Sequence, residues 1–181
     1  MKIYGDSYYH IFNRGNNKDL IFFEDENYRY FLNQFKRYVA PFCDVYAYCL
    51  MPNHFHFFLR VADEQLFEKG MKNFFISYSK AINKKYDRVG TLFQGRYKVS
   101  EITSESYFTR IITYIHQNPL IARLVKNMED YRYSSYAAYL SNKETLINKQ
   151  GVLDWFGGLD GFVNDHKIAV EDLEIEKYLK L

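Results

Sequence analysis

Two short clusters carry residue types that could do chemistry together. The first is His54-Phe55-His56, inside the strand-like run His54 to Val61 (HFHFFLRV). Side chains alternate along a strand, so both imidazoles leave one face and Phe55 the other, and two nitrogen ligands can converge on one metal. By itself this spacing also describes two histidines hydrogen-bonded on a sheet, although these are two of only five in the chain. The second cluster is Tyr114-Ile115-His116-Gln117-Asn118-Pro119. Tyr114 and Asn118 stand at i and i+4 and share a helix face. Tyrosine has a reference pKa of about 10 and is a poor nucleophile at neutral pH without help. A divalent ion held by two imidazoles and an amide oxygen would leave positions open for phosphate oxygens and polarise the phosphorus. Any one of 18 tyrosines is nevertheless more often packing than reactive.

The surrounding sequence must supply a strand for the histidines and a helix for the tyrosine. Tyr8 to Asn13 (YYHIFN) reads as a strand ending at the turn Arg14-Gly15-Asn16-Asn17. From Glu24, the apolar positions Tyr28, Phe31, Leu32, Phe35 and Val39 follow helical spacing until Pro41. Cys43 to Met51 and His54 to Val61 are strand runs joined by Pro52-Asn53, a hairpin pattern. A helix from about Glu64 to Tyr86 presents Met71, Phe74, Phe75, Tyr78 and Ile82 on one stripe. Tyr97 to Ile102 reads as a further strand, and Tyr107 to Asn118 as a third helix, capped by Ser104 and ended by Pro119. At roughly 100° per residue, Tyr114 falls about a quarter-turn or slightly more from the stripe of Phe108, Ile111, Ile112 and Ile115, with Asn118 somewhat closer, so both can reach a sheet edge.

The order β-α-β-β-α-β followed by a helix predicts an α+β, ferredoxin-like split βαβ fold. It has a four-stranded antiparallel sheet, helices on one face and the other face free for a site. Residues 1–125 read as the catalytic domain and 126–181 as an extension, in which Tyr131 to Leu140 reads as a helix or ordered segment and Gly157, Gly158 and Gly161 as a loop before a charged end.

Composition narrows the partners. Of 24 basic and 22 acidic residues, 3 and 7 fall after Gly151, so the first 151 residues carry a net +6 and the rest is acidic. A basic body with 19% aromatic residues, 18 Tyr, 16 Phe and 1 Trp, suits phosphates and unpaired bases. Cys43 and Cys49 form no CxxC pattern; their even spacing puts both on one strand face, as buried free thiols of a reducing cytosol. No charged-then-apolar signal region and no run of roughly twenty apolar residues is present, so a soluble cytoplasmic protein without a membrane partner is expected. Gly90 to Gly95 is followed by Arg96-Tyr97 in place of Lys-Ser/Thr, which does not support a nucleoside-triphosphate loop.

Taken together, five ordered motifs resemble the REP-associated tyrosine transposases, within the single-tyrosine HUH superfamily that includes the insertion-sequence-200-like transposases. They are Tyr9-His10-Ile11-Phe12-Asn13-Arg14-Gly15-Asn16; Met51-Pro52-Asn53-His54-Phe55-His56; Gly90 through Gly95-Arg96-Tyr97-Lys98; Tyr114-Ile115 with Asn118-Pro119; and Ser134-Ser135-Tyr136. The resemblance covers roughly Tyr8 to Tyr139.

It implies cleavage and rejoining of single-stranded DNA near a hairpin of repetitive extragenic palindrome type. Tyr114 would become joined to a 5′ phosphate and release a 3′ hydroxyl. His54, His56 and Asn118 would be the metal ligands, with Gln117 and His116 as less favoured substitutes because they point elsewhere on the helix. Two imidazoles with oxygen ligands suit Mg or Mn, and ligand type leaves Zn open. Arg14 and Arg96 are the favoured phosphate contacts; Lys18, Lys98 and Arg110, and the rings of Tyr97 and Tyr107, are further candidates. Two other classes fit the same residues: a non-catalytic module that holds RNA or single-stranded DNA on the sheet, and a metal-dependent hydrolase in which water attacks. Relatives include single-chain forms and dimers that exchange tyrosine helices, so monomer and homodimer both stay open. The acidic C-terminal residues would lie away from DNA, pack on the basic body or compete with DNA, and in the last case removing residues after Gly151 would tighten binding.

Overall fold

A computed structural model describes residues 2–142 and 145–168 of the chain. Its centre is a four-stranded antiparallel sheet with order β2-β3-β1-β4. The strands are β1 (Tyr8–Arg14), β2 (Cys43–Met51), β3 (His54–Val61) and β4 (Lys98–Glu101). Helices α1 (Asp25–Tyr38) and α2 (Glu64–Lys85) are the two crossovers of the split βαβ plan. Glu24 and Asn27 close a capping box at the start of α1, and Asp63 caps α2 by accepting from the Leu66 amide at 2.9 Å. Pro52-Asn53 makes the two-residue turn between β2 and β3.

The aromatic richness goes mainly into this core. Phe35 stacks on Phe57 at 4.3 Å, Phe31 meets Phe74 edge-on at 4.7 Å, and Phe55, Phe67 and Tyr78 are fully buried with them between the sheet and the two helices. Most of these rings therefore have no face to offer a base. Helices α1 and α2 approach closely because Gly70 has no side chain: a Cβ there would lie 2.1 Å from the Tyr38 carbonyl oxygen.

The opposite sheet face is covered, not free. Helix α3 (Phe108–Ile121) lies across it, with Phe108 4.4 Å from Tyr8 and 5.3 Å from Phe58. It differs from the expected helix at both ends. Ser104 does not cap it; its hydroxyl bonds Ser106 at 2.7 Å, and a turn of 3₁₀ helix, Glu105–Tyr107, intervenes. Pro119 lies inside the last turn, where the Asn118 side chain donates to the Tyr114 carbonyl at 2.8 Å and the helix ends two residues later.

After α3 the chain runs along the outer edge of β2. Leu50 and Tyr133 pair through a 2.9 Å hydrogen bond, as do Ser135 and Tyr48, and Asn148 donates to Val45 at 2.8 Å. Three short helices follow: α4 (Tyr136–Tyr139), α5 (Lys149–Trp155) and α6 (Leu159–Asp165). The glycines read as a loop are divided: Gly157 and Gly158, at φ 71° and 108°, make the turn, and Gly161 lies within α6. Trp155 joins the α3 side of the core, 4.8 Å from Phe108, and Val152 and Phe162 are fully buried. Residues 152–168 are thus structural, so a cut after Gly151 would remove core side chains along with the acids. The acidic residues after Ile168 lie outside the described residues.

The expectation that Cys43 and Cys49 share a face is corrected. A bulge between Val45 and Ala47 adds one residue to β2, so Cys43 pairs with Val61 and Cys49 with His56, on opposite faces. Cys49 is fully buried, whereas Cys43 is only partly so, and both are free thiols.

A buried polar chain ties α3 to the C-terminal segment. His116 Nδ1 lies 2.8 Å from His166 Nε2, its Nε2 lies 2.7 Å from the Ser135 hydroxyl, and Gln117 donates to the carbonyls of His166 and Ile168. Burial pushes His166 down to about 4, and burial with His166 alongside holds His116 well below the ordinary imidazole value. Unfolded histidine titrates near 6.5. Stability from these neutral rings is therefore complete above about pH 6.5 and declines as pH falls toward about 4, because only the unfolded chain takes up the protons. Thermal melts should show Tm falling across that window. His166→Gln should make the fall shallower, though not abolish it, since buried His54 and His56 act in the same direction.

Candidate active site

The antiparallel register decides what stands beside the histidines. On the α3 side of the sheet, His54 is opposite Arg14 of β1 and Met51 of β2, while His56 is opposite Phe12 and Cys49. The two imidazoles share this face, with ring centroids 5.1 Å apart and planes at 86°. Helix α3 then lays the Tyr114 ring perpendicular to His56 at 5.7 Å. This is β3, one of the two interior strands, not the sheet edge inferred from helical angles.

Asn118 completes the group. Its side chain favours both the protonated His54 ring and the ionised Tyr114 phenol, and so lies beside each of them. Burial dominates, pushing His54 down to about 4, raising Tyr114 above the ordinary phenol value and holding His56 well below 6.5. The pocket therefore keeps two neutral imidazoles, the protonation state needed to ligate a metal, and a phenol harder to ionise than in water.

Each histidine is oriented by a neighbour at Nδ1. His54 Nδ1 donates to the Asn53 side-chain oxygen at 2.6 Å. His56 Nδ1 lies 2.9 Å from Nε2 of His10, a fully buried β1 residue whose ring stacks on His56 at 5.1 Å. His56 Nε2 is buried without a hydrogen-bond partner. An unsatisfied buried ring nitrogen, on a sheet face shared with the His54 imidazole that Asn118 adjoins, fits a cation's ligand set. Among the described residues no three His, Cys, Asp or Glu side chains form such a group, so two imidazoles with the Asn118 amide are the donor set on hand.

The remaining predicted residues divide. Arg14 is at the site: its charge acts on His54, and its Nε donates to Gln94. Gly15 allows this placement, because a Cβ there would meet the Asp19 carbonyl oxygen at 2.0 Å. Lys98 is on the same sheet face, over the Phe12 ring at 5.8 Å. Arg96 is elsewhere, exposed and 3.2 Å from Glu68 of α2. Arg110 lies over Tyr107, Lys18 is on the exposed turn, and His116 and Gln117 are committed to the polar chain described above. Sequence reasoning gave His10 no role. Its only signal was a place in the alternation Tyr8, His10, Phe12, Arg14, and the register that sets it diagonal to His56 is not visible in one strand.

The family model for IS200-like transposases matches residues 4–118. The chain belongs to the IS200-like transposase family. Among solved structures, it is similar to a REP-associated tyrosine transposase bound to a REP hairpin, at 17% sequence identity and TM-score 0.63, over 78% of this chain and 83% of that one. That likeness bears out the four-stranded α+β fold. No curated protein matches. Among the described residues no helix is long and apolar enough to cross a membrane.

Because Tyr114 is only partly buried and its hydroxyl meets Asn118, Tyr114→Phe should cost no more than about 1 kcal/mol in urea unfolding. A much larger loss would make the hydroxyl structural.

Proposed function

We propose that the protein is a metal-dependent single-stranded DNA endonuclease and strand transferase that uses Tyr114 as its nucleophile on hairpin-flanked DNA. The observation that carries this reading is the Tyr114 ring set against His56, whose Nε2 is buried and unpartnered. Membership of a transposase family and a structural relative bound to a REP hairpin support DNA of that kind as the partner.

His54, His56 and Asn118 would hold a divalent ion, Mg or Mn, which when bound supplies Lewis-acid polarisation of the scissile phosphate. The chain's own residues do the rest. Arg14 orients a non-bridging phosphate oxygen beside His54. Asn118 steadies the Tyr114 oxygen as its proton leaves to solvent. The phenolic oxygen then bonds to phosphorus, the bond from phosphorus to the 3′ oxygen breaks, and the departing oxygen takes a proton to become a 3′ hydroxyl. The 5′ phosphate stays on Tyr114 as a diester, so attack by another 3′ hydroxyl reverses the step without ATP.

Tyr114 adjoins the histidines of its own chain, and the His116 and Gln117 bonds hold its helix to the C-terminal segment, which favours a monomer acting in cis. Two free thiols favour a reducing compartment such as the cytoplasm.

Labelled hairpin DNA with Mg or Mn should give a covalent adduct that survives denaturation. Tyr114→Phe and chelator should each abolish it, and mixing His56→Ala with Tyr114→Phe should not restore it. Binding without an adduct would leave a non-catalytic module, and a free 5′ phosphate without an adduct would mean attack by water. A second prediction concerns tautomers. Nε2 of His56 can ligate only if Nδ1 carries the proton and donates to His10. His10→Leu should therefore weaken Mn binding, followed by electron paramagnetic resonance, by about 10- to 100-fold. His10→Gln, which retains an acceptor, should restore part of the loss. Unchanged affinity in folded His10→Leu would remove His10 from this role.

A further inference from the structure

A groove of about 1060 Å³ runs between α2 and the loop of residues 90–97, away from the sheet face that carries the histidines. Its floor is apolar, formed by Phe75, Ile76, Leu92, Phe93 and Tyr97. The Phe75 and Tyr97 rings lie nearly parallel, 4° apart in plane at 5.6 Å, and Ile76 is 43% exposed.

The rim is basic. Lys69, Lys72 and Lys80 line it from α2, and Arg96 from the loop. The one acid there, Glu68, is already paired with Arg96. Among the described residues, Lys69, Lys72 and Lys80 have no ion-pair partner. From Lys69 to Lys80 the helix rises about 16 Å, enough for a short stretch of unpaired strand. Cations along an aromatic and aliphatic floor match a polyanion whose planar groups are exposed. Single-stranded DNA meets that description, whereas duplex DNA keeps its bases stacked away from such a floor.

Backbone hydrogen bonds tie the groove wall to the turn that carries Arg14. The wall residue Leu92 accepts from the Asn16 amide at 2.9 Å, and Gln94 donates to the Arg14 carbonyl at 2.9 Å. Gly15 in turn donates to Asn53 at 2.8 Å, and Asn53 holds the His54 ring. One loop therefore forms the groove wall on one side and contacts Arg14 on the other.

We propose that this groove holds the unpaired flank of the hairpin substrate and leads it past Arg14 toward His54 and Tyr114. The proposal rests on the DNA-processing function above and adds where the flanking strand runs. It also gives Arg96 a place: not at the reacting phosphate, but on the rim of this track.

The test compares two labelled DNAs, a hairpin with a single-stranded flank and the same hairpin made blunt, by fluorescence anisotropy over a salt series. The triple variant Lys69→Gln, Lys72→Gln, Lys80→Gln should lose about tenfold or more in affinity for the flanked hairpin. Its log affinity against log salt slope should be shallower by about 2, since each single-strand phosphate contact contributes about 0.7. Affinity for the blunt hairpin should be unchanged. Ile76→Ser, at a partly exposed position, should weaken flanked binding with the salt slope unchanged. Wild-type affinity and slope in the triple variant would overturn the proposal, as would an equal loss on the blunt hairpin, which would make the stem the occupant. Adduct yield with wild-type protein is read separately: its absence would count against the catalytic reading, while the flank-dependent slope would still decide the groove.

Discussion

Packing of one amphipathic helix across the second face of the sheet is the constraint on which the site depends. The apolar side of α3, led by Phe108, Ile111, Ile112 and Ile115, is buried against β2 and β3. Once that stripe is seated, helical geometry leaves Tyr114 and Asn118 no choice but to flank the imidazoles of β3. The same burial strips water from the histidines and the phenol, which keeps both rings neutral and makes the phenol reluctant to ionise. A desolvated pocket of this kind rewards a cation twice, by satisfying the unpaired ring nitrogen of His56 and by favouring negative charge on a neighbouring oxygen.

The C-terminal segment is part of this device. It extends the hydrogen bonding of β2, buries Val152 and Phe162, and grips α3 from behind through His116 and Gln117. A helix that sets a tyrosine ring against a buried histidine is held in place only if its far side is fixed as well. The buried polar chain supplies that rigidity, because each of its groups would be costly to leave unpaired. His116 is therefore committed to holding the helix, through His166 and Ser135.

Aromatic residues serve two ends that composition alone could not separate. Between the sheet and helices α1 and α2 they fill volume, stacking and tilting against one another out of contact with water. At the α2 groove a few of them line an opening ringed by lysines.

Much of the architecture was legible in the residues. Alternation in HFHFFLRV put His54 and His56 on one side of a strand, Pro52-Asn53 marked the hairpin, and helical spacing tied Tyr114 to Asn118, because these are local rules of backbone geometry. Other features depended on contacts between segments far apart in the chain. A single bulged residue in β2 reversed the side on which Cys49 lies, and the β1 register brought His10 to His56. Long-range packing let Pro119 stay in the last turn of α3, drew residues 152–168 into the core and separated Arg96 from Arg14. Which side chains share a strand or helix face follows from a repeat of two or 3.6 residues and could be read from the residues alone. Which faces meet could not, since register and helix placement are set by the packing of the whole core.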